Sequence, residues 1–250
     1  RLFIQQLLLL CLYTIPSMSY ALSVEPANWW VGMKKNTITL MLHEQNIANT
    51  QFKLLPYQGV ELANITRTEN PNYVFLHIAI SDTAQAGTLK FNSNGKNNFI
   101  FSLLERTKNS AVREGFSSKD TVYLINPDRF VNGDKQNDTV SGMLEEVNPT
   151  FKGGRHGGDI QGVINALPYL KDLGVTQLWL TPVLENNMPD YSYHGYAITD
   201  FYNVDPRMGS NSLYKSLSVK AKEQGIGLVM DMVLNHFGAE HTWMKDKPSK

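Results

Sequence analysis

The chain has 250 residues, 42 % of them apolar, and its 23 basic and 23 acidic side chains leave zero formal charge. That length allows one large domain or two smaller ones, and the apolar share excludes global disorder. With no basic stripe or polybasic run, nucleic acid and anionic membrane surfaces are argued against as main partners.

The sequence starts at Arg1 rather than Met, so it is expected to begin partway into a longer reading frame. Residues 2–21, LFIQQLLLLCLYTIPSMSYA, are apolar but short for a membrane span. They end in Ser19-Tyr20-Ala21, with small residues at the −3 and −1 positions of a cleavage site. Residues 1–21 therefore read as a secretory signal peptide, with an N-terminal membrane anchor as the alternative. A lipoprotein signal fits less well, because Leu8-Leu9-Leu10 before Cys11 lacks a small residue. Cys11 is the single cysteine and lies in this segment, so the exported chain is expected to have no disulfide and to rely on packing or a metal.

Residues 22–106 read as an all-β domain. TITLML (37–42), QFKLL (51–55), YVFLHIAI (73–80), GTLKF (87–91) and NNFIFSLL (97–104) are β-rich runs separated by turn clusters such as ENPN (69–72). Short strands at this spacing predict an antiparallel, immunoglobulin-like β-sandwich. Trp29 and Trp30 at its entrance suit either a sugar face or packing at the domain edge.

Residues 107–120 are polar and read as a linker, after which the texture changes. VYLIN (122–126), VTQLWLTPV (175–183) and IGLVMDMVL (226–234) are apolar strands. GVINALPYLKDLG (162–174), tightened or kinked by Pro168, and SLYKSLSVKAKEQG (212–225) are helices with glycine stops. The β-α-β-α-β order predicts a parallel sheet covered on both faces over residues 121–250. No G-x-G-x-x-G or GK[ST] loop is present, and GGRHGGD (153–159) does not open a helix directly after a strand. A (β/α)8 TIM barrel, cut after its third strand, is favoured over a doubly wound sheet.

Three constellations stand out. DRFVNGDKQND (128–138) crowds Asn132, Asp134, Asn137 and Asp138 around Gly133, with Asp159 a more distant candidate. These hard oxygens suit Ca2+, although an Asx-rich turn bonding its own backbone gives the same pattern. YHGYAITDFYNVDPRMGS (193–210) places a histidine among tyrosines after the second strand, which suits a polyol or a structural loop. DMVLNH (231–236) puts Asp231 inside an apolar run with Asn235 and His236 at its end. A lone buried carboxylate there would lose several kcal/mol, roughly, to desolvation, so a cationic partner, most plausibly arginine, is expected.

In this order DRFxNGD, GGD, YHGYAITDFY and DMVLNH resemble the α-amylase family, glycoside hydrolase family 13. NWWVGMK (28–34) followed by a sandwich is similar to its neopullulanase/cyclomaltodextrinase branch, and the signal peptide to periplasmic members of the starch-utilisation type. The resemblance covers essentially the whole exported chain. It implies a calcium ion held by Asn132, Asp134, Asn137, Asp138, Gly157 through its carbonyl, and Asp159. It implies that His194, Tyr196 and His236 contact the glucose whose bond is cut. Asp231 then braces an arginine beside the nucleophile, and Asn235 supports the same region. The family's retaining mechanism uses two aspartates and a glutamate after the fourth, fifth and seventh strands. No catalytic carboxylate is expected within residues 1–250, so the chain reads as the inactive front part of a hydrolase of maltodextrin, cyclodextrin or pullulan. A non-catalytic glucan-binding homologue and an α-glucoside isomerase or transglycosylase are the alternatives. The resemblance also implies a periplasmic or secreted protein, and a homodimer in the full-length form.

Overall fold

A computed structural model describes residues 21–95, 98–113 and 115–249. The signal-peptide reading therefore lies outside the described residues except for Ala21. Among the described residues no helix is long and apolar enough to cross a membrane. The chain divides into two compact units between Ala111 and Val112.

The first unit holds eight strands: β1 (Ser23–Glu25), β2 (Asn28–Trp30), β3 (Thr37–His43), β4 (Phe52–Leu54), β5 (Val60–Arg67), β6 (Tyr73–Ile80), β7 (Gly87–Ser93) and β8 (Phe99–Leu104). They form two four-stranded sheets, ordered β1-β3-β6-β5 and β2-β8-β7-β4. Pairing is antiparallel except between β2 and β8. Alternation explains the layering: Leu40, Leu42, Val74, Leu76 and Ile78 from one sheet pack with Leu89, Phe91, Phe101 and Leu103 from the other in one core. Each such buried side chain contributes about 1.5–3 kcal/mol. Strand β5 has no counterpart among the predicted runs. Its register shifts between Leu62 and Asn64, so its apolar residues Val60, Leu62 and Ile65 fall out of strict alternation. Trp30 is exposed on β2, whereas Trp29 is partly buried against the core, which favours the edge-packing reading for Trp29.

The second unit carries β9 (Val122–Ile125), α1 (Ile160–Asn165), α2 (Leu167–Asp172), β10 (Gln177–Leu180), β11 (Leu184–Glu185), β12 (Asp200–Val204), α3 (Asn211–Glu223), β13 (Gly227–Met230) and α4 (Thr242–Lys245). The predicted single helix over 162–174 is two, parted at Ala166, because Pro168 has no N–H to carry the ladder through. Helix α3 starts where Ser210 Oγ accepts the Leu213 N–H at 3.1 Å, and Gly225, just past its end, has φ +78. Strands β9, β10 and β13 form a parallel sheet with β10 central, in register Leu124–Trp179–Val229. Leu178 and Leu180 point to the side covered by Ile160, Val163, Leu170 and Leu217 of the helices. The other face is not covered as predicted: Leu124 is 55 % and Trp179 39 % exposed. Strands in sequence order with helices packed on one side form the wall of a barrel, whose inner face is filled by the remaining strands' side chains.

Candidate functional site

Parallel strands send their C-terminal ends to one edge, so the loops after β10 and β13 rise together there. Strand β13 ends at Met230, four residues earlier than predicted, and Asp231 is the first residue beyond it. Asp231 is only half-buried, between exposed Met230 and Met232. Its Oδ2 accepts the Trp179 indole N–H at 3.1 Å and the Tyr196 hydroxyl at 3.0 Å. The expected arginine is not among its described partners. Within residues 1–250 two neutral donors meet this carboxylate, and the arginine implied beside the nucleophile would belong to the region after the fourth strand. Burial first, then the Asp231 hydrogen bond and charge, raises the Tyr196 hydroxyl above its ordinary pKa of 10.0.

The two histidines join the same cluster, each with its tautomer fixed. The Tyr196 N–H donates to His194 Nδ1 at 2.9 Å, so the His194 proton sits on Nε2. Burial lowers the His194 pKa from 6.5, with the Glu145 charge opposing, so the ring is a neutral donor at neutral pH. His236 Nε2 faces the Tyr196 carbonyl at 3.0 Å, and a carbonyl only accepts, so Nε2 carries the proton. His236 Nδ1 then accepts the Asn235 amide N–H at 2.7 Å. The structure thus brings together His194, Tyr196, Asp231, Asn235 and His236, five of the predicted residues. The His194 and Tyr196 rings lie 5.8 Å apart.

Beneath the histidine turn lies a buried ionic layer. Asp205 and Arg207 are fully buried and paired: Arg207 Nε donates to Asp205 Oδ1 at 2.9 Å and one terminal nitrogen to Oδ2 at 2.7 Å. Arg207 also donates to the carbonyls of Glu145 and Asn186. Burial pushes the Asp205 pKa up, but the Arg207 bond, the Arg155 and Arg207 charges and the Asn186 N–H outweigh it and hold the carboxyl below 3.8. Asp128 accepts the His156 N–H at 3.0 Å and the Gly157 N–H at 3.3 Å, with Arg129 at 3.0 Å and Arg155 at 3.8 Å. Arg155 donates to Ser192 Oγ at 3.2 Å, and the Ser192 N–H donates to Glu145 Oε2 at 2.6 Å. Ser192 opens the short 3-10 turn Ser192–His194, so these bonds fix where His194 points.

The oxygen-rich loop folds against the residues 157–159. Asn132 Nδ2 donates to Asp138 Oδ1 at 2.7 Å, and both lie against Gly157, where an added Cβ would fall 2.8 and 2.7 Å from them. Asn132 Oδ1 and Asn137 Oδ1 are buried with no hydrogen-bond partner. Asp159 is fully buried and caps α1 through Gly162 N at 2.6 Å, while Asp134 N at 2.7 Å and Gly133 N at 3.2 Å also donate to it. Asp134 itself is exposed and accepts the Gln136 N–H. Among the described residues no three carboxylate, histidine or cysteine side chains gather as a metal site.

Sequence reasoning missed Trp179, Glu145, Arg155 and Ser192. Only Trp179 carried a signal: it is the one aromatic in the strand run 175–183, and a central parallel strand places it beside whatever follows its neighbours.

Two families match the chain. Residues 23–107 match the N-terminal domain of cyclomaltodextrinase, and residues 124–250 match the α-amylase catalytic domain. The periplasmic α-amylase of Escherichia coli K12 is 30 % identical over 83 % of the chain and 33 % of that protein. A cyclomaltodextrinase of Thermoanaerobacter pseudethanolicus is 37 % identical over 52 % of the chain and 22 % of that protein. Neopullulanase 2 of Thermoactinomyces vulgaris is 32 % identical over 59 % of the chain and 25 % of that protein. The chain spans at most a third of the length of these relatives. A sandwich, an opening barrel wall and a His-Tyr-Asp-Asn-His cluster at its edge, matched in both halves by these families, place the chain in the α-amylase family, glycoside hydrolase family 13, with a cyclomaltodextrinase-type N-terminal domain.

Proposed function

We propose that the chain supplies the N-terminal sandwich and the first part of the catalytic barrel of a retaining hydrolase of α-1,4 bonds in maltodextrin, cyclodextrin or pullulan. In this reading residues 1–250 hold substrate and contribute no catalytic carboxylate. His194 Nε2–H offers a neutral donor to a sugar hydroxyl, the Tyr196 ring offers an apolar face, and His236, its ring nitrogens taken by the Tyr196 carbonyl and Asn235, contacts the same sugar with its ring edge and anchors the Tyr196 backbone. Asp231 and Asn235 hold Tyr196 and His236 in place. The observation that carries the reading is the single hydrogen-bonded cluster joining Trp179, Tyr196, Asp231, Asn235 and His236. The names of the relatives supply the substrate class and favour export to the periplasm.

The test is turnover of maltoheptaose, β-cyclodextrin and pullulan by the native full-length protein. His194→Ala and His236→Ala are each expected to lower kcat/KM about ten- to a hundredfold, the first by losing a hydrogen bond to the sugar and the second by freeing the Tyr196 backbone that His236 anchors. Histidine variants as active as the parent would refute the assignment.

We also propose a Ca2+ ion at the loop formed by Asn132, Asp134, Asn137, Asp138, Gly157 and Asp159. The support is the pair of buried amide oxygens without partners, an unusual cost unless a cation or water meets them. When bound, the ion would cross-link residues 132–138 to 157–159 and take no part in chemistry. Asn132→Ala with Asn137→Ala is expected to abolish calcium binding by calorimetry. The double variant binding calcium as tightly as the parent would remove the site.

A further inference from the structure

Two exposed aromatic rings lie beside the histidine turn and belong to none of the roles above. Phe151 is 44 % and Tyr191 52 % exposed, and their centroids stand 5.7 Å apart at 62°. Tyr191 immediately precedes the turn Ser192–His194 and has φ 59, a left-handed backbone that a bulky residue rarely adopts. A 3-10 turn rises about 2 Å per residue, so Tyr191 sits about 6 Å of chain axis from His194.

The rings are exposed but not loose. A Cβ on Gly153 would run into the Tyr191 ring and fall 2.9 Å from Phe151 Cζ, so both rings lie close over that glycine. Arg129 fastens both sides of the pair: it donates to the Lys152 carbonyl at 2.8 Å, and its guanidinium stacks 3.9 Å over Tyr193. Glu145 and Arg155 hold Ser192, next to Tyr191. Strained backbone kept in place by its surroundings, with the side chain turned to solvent, is the pattern of a preorganised binding surface.

We propose that Phe151 and Tyr191 form a sugar-stacking platform about one glucose unit from His194 and Tyr196, gripping the next residue of an α-glucan chain. Two ring faces suit one sugar and are far smaller than the ~800 Å2 per partner of a stable protein interface. Continuity with the turn bearing His194 selects a longer stretch of the same substrate as occupant. The proposal rests on the reading that His194 and Tyr196 hold a glucose unit.

The test compares kcat/KM for p-nitrophenyl α-glucoside, which carries a single glucose unit, and maltoheptaose in the native full-length protein. Tyr191→Asn is the chosen variant, because asparagine tolerates the left-handed backbone. Tyr191→Asn and Phe151→Ala are each expected to lose about three- to tenfold on maltoheptaose and less than about twofold on p-nitrophenyl α-glucoside. His194→Ala is the control and should lose on both. Equal losses on the two substrates would overturn the platform in favour of a purely structural role. No loss in either aromatic variant, with His194→Ala impaired, would overturn the platform and leave the glucan site standing. No loss in any of the three would overturn both.

Discussion

Replacing Asp159 with alanine separates a protein-held loop from a metal-held one. The carboxylate receives three backbone N–H groups, from Gly162 at 2.6 Å, Asp134 at 2.7 Å and Gly133 at 3.2 Å, in a residue with no solvent exposure. Losing the α1 cap costs about 1 kcal/mol. The other two are charge-assisted bonds whose donors lie nearer the surface, and water replaces part of each, leaving about 1 kcal/mol apiece. The sum is about 3 kcal/mol, or ~6–12 °C in Tm at ~2–4 °C per kcal/mol for a protein of this size class. In chelator, Asp134→Ala removes only the bond to Gln136 N at an exposed position and should change stability by less than about 0.5 kcal/mol. The assay is thermal unfolding of parent, Asp159→Ala and Asp134→Ala, each with and without chelator. Because the three bonds need no ion, their share of the Asp159→Ala deficit should persist in chelator, and any loss that comes from the proposed Ca2+ should be confined to chelator-free buffer. A deficit that vanishes in chelator, or one equalled there by Asp134→Ala, would show that Asp159 acts only through a bound cation.

Gly162→Ala inverts the usual preference for alanine in a helix: its Cβ would collide with the Val131 carbonyl, so a loss of about 3 kcal/mol by urea unfolding is expected in place of a gain of about 1. Asp231→Asn should bring Tyr196 ionisation down toward 10.0, since the charge is lost and chiefly the burial effect remains. An unchanged near-ultraviolet tyrosinate titration would refute the Tyr196–Asp231 bond. Burial lowers the pKa of both His194 and His241 below 6.5, against the opposing charges of Glu145 and Asp200 respectively. The unfolded chain then takes up protons first, so this stability is complete above 6.5 and is lost as pH falls below it. His241→Gln should flatten the decline of unfolding free energy with acidity in that range, and an equal slope would count against the burial.

The sequence made the broad architecture legible because alternation and glycine stops are local signals. Leu40, Leu42, Val74 and Leu76 alternate in the text as they do in the core. Strand β5 was hidden by a bulge, a defect that only pairing with β6 makes visible. Among the site residues, His194, Tyr196, Asp231, Asn235 and His236 were readable as motifs, but the partner of Asp231 was not. An indole 52 positions earlier reaches it because parallel pairing sets Trp179 beside Val229. Glu145 and Arg155 lay in stretches with no periodicity, and nothing in one dimension says that both converge on Ser192.

The segment between β10 and α3 has little regular structure, yet Arg207 ties its backbone at Asn186, its own neighbour Asp205 and the Glu145 carbonyl of an earlier loop into one knot. Order there comes from a planar fork of donors rather than from a ladder. In native-state amide exchange, slow protons are expected at Asn186 and Arg207, whose N–H groups both end on Asp205. A protease probing the same stretch would find it closed despite its loop-like trace, until lysine in place of Arg207 takes away the fork and lets the strand ends drift independently.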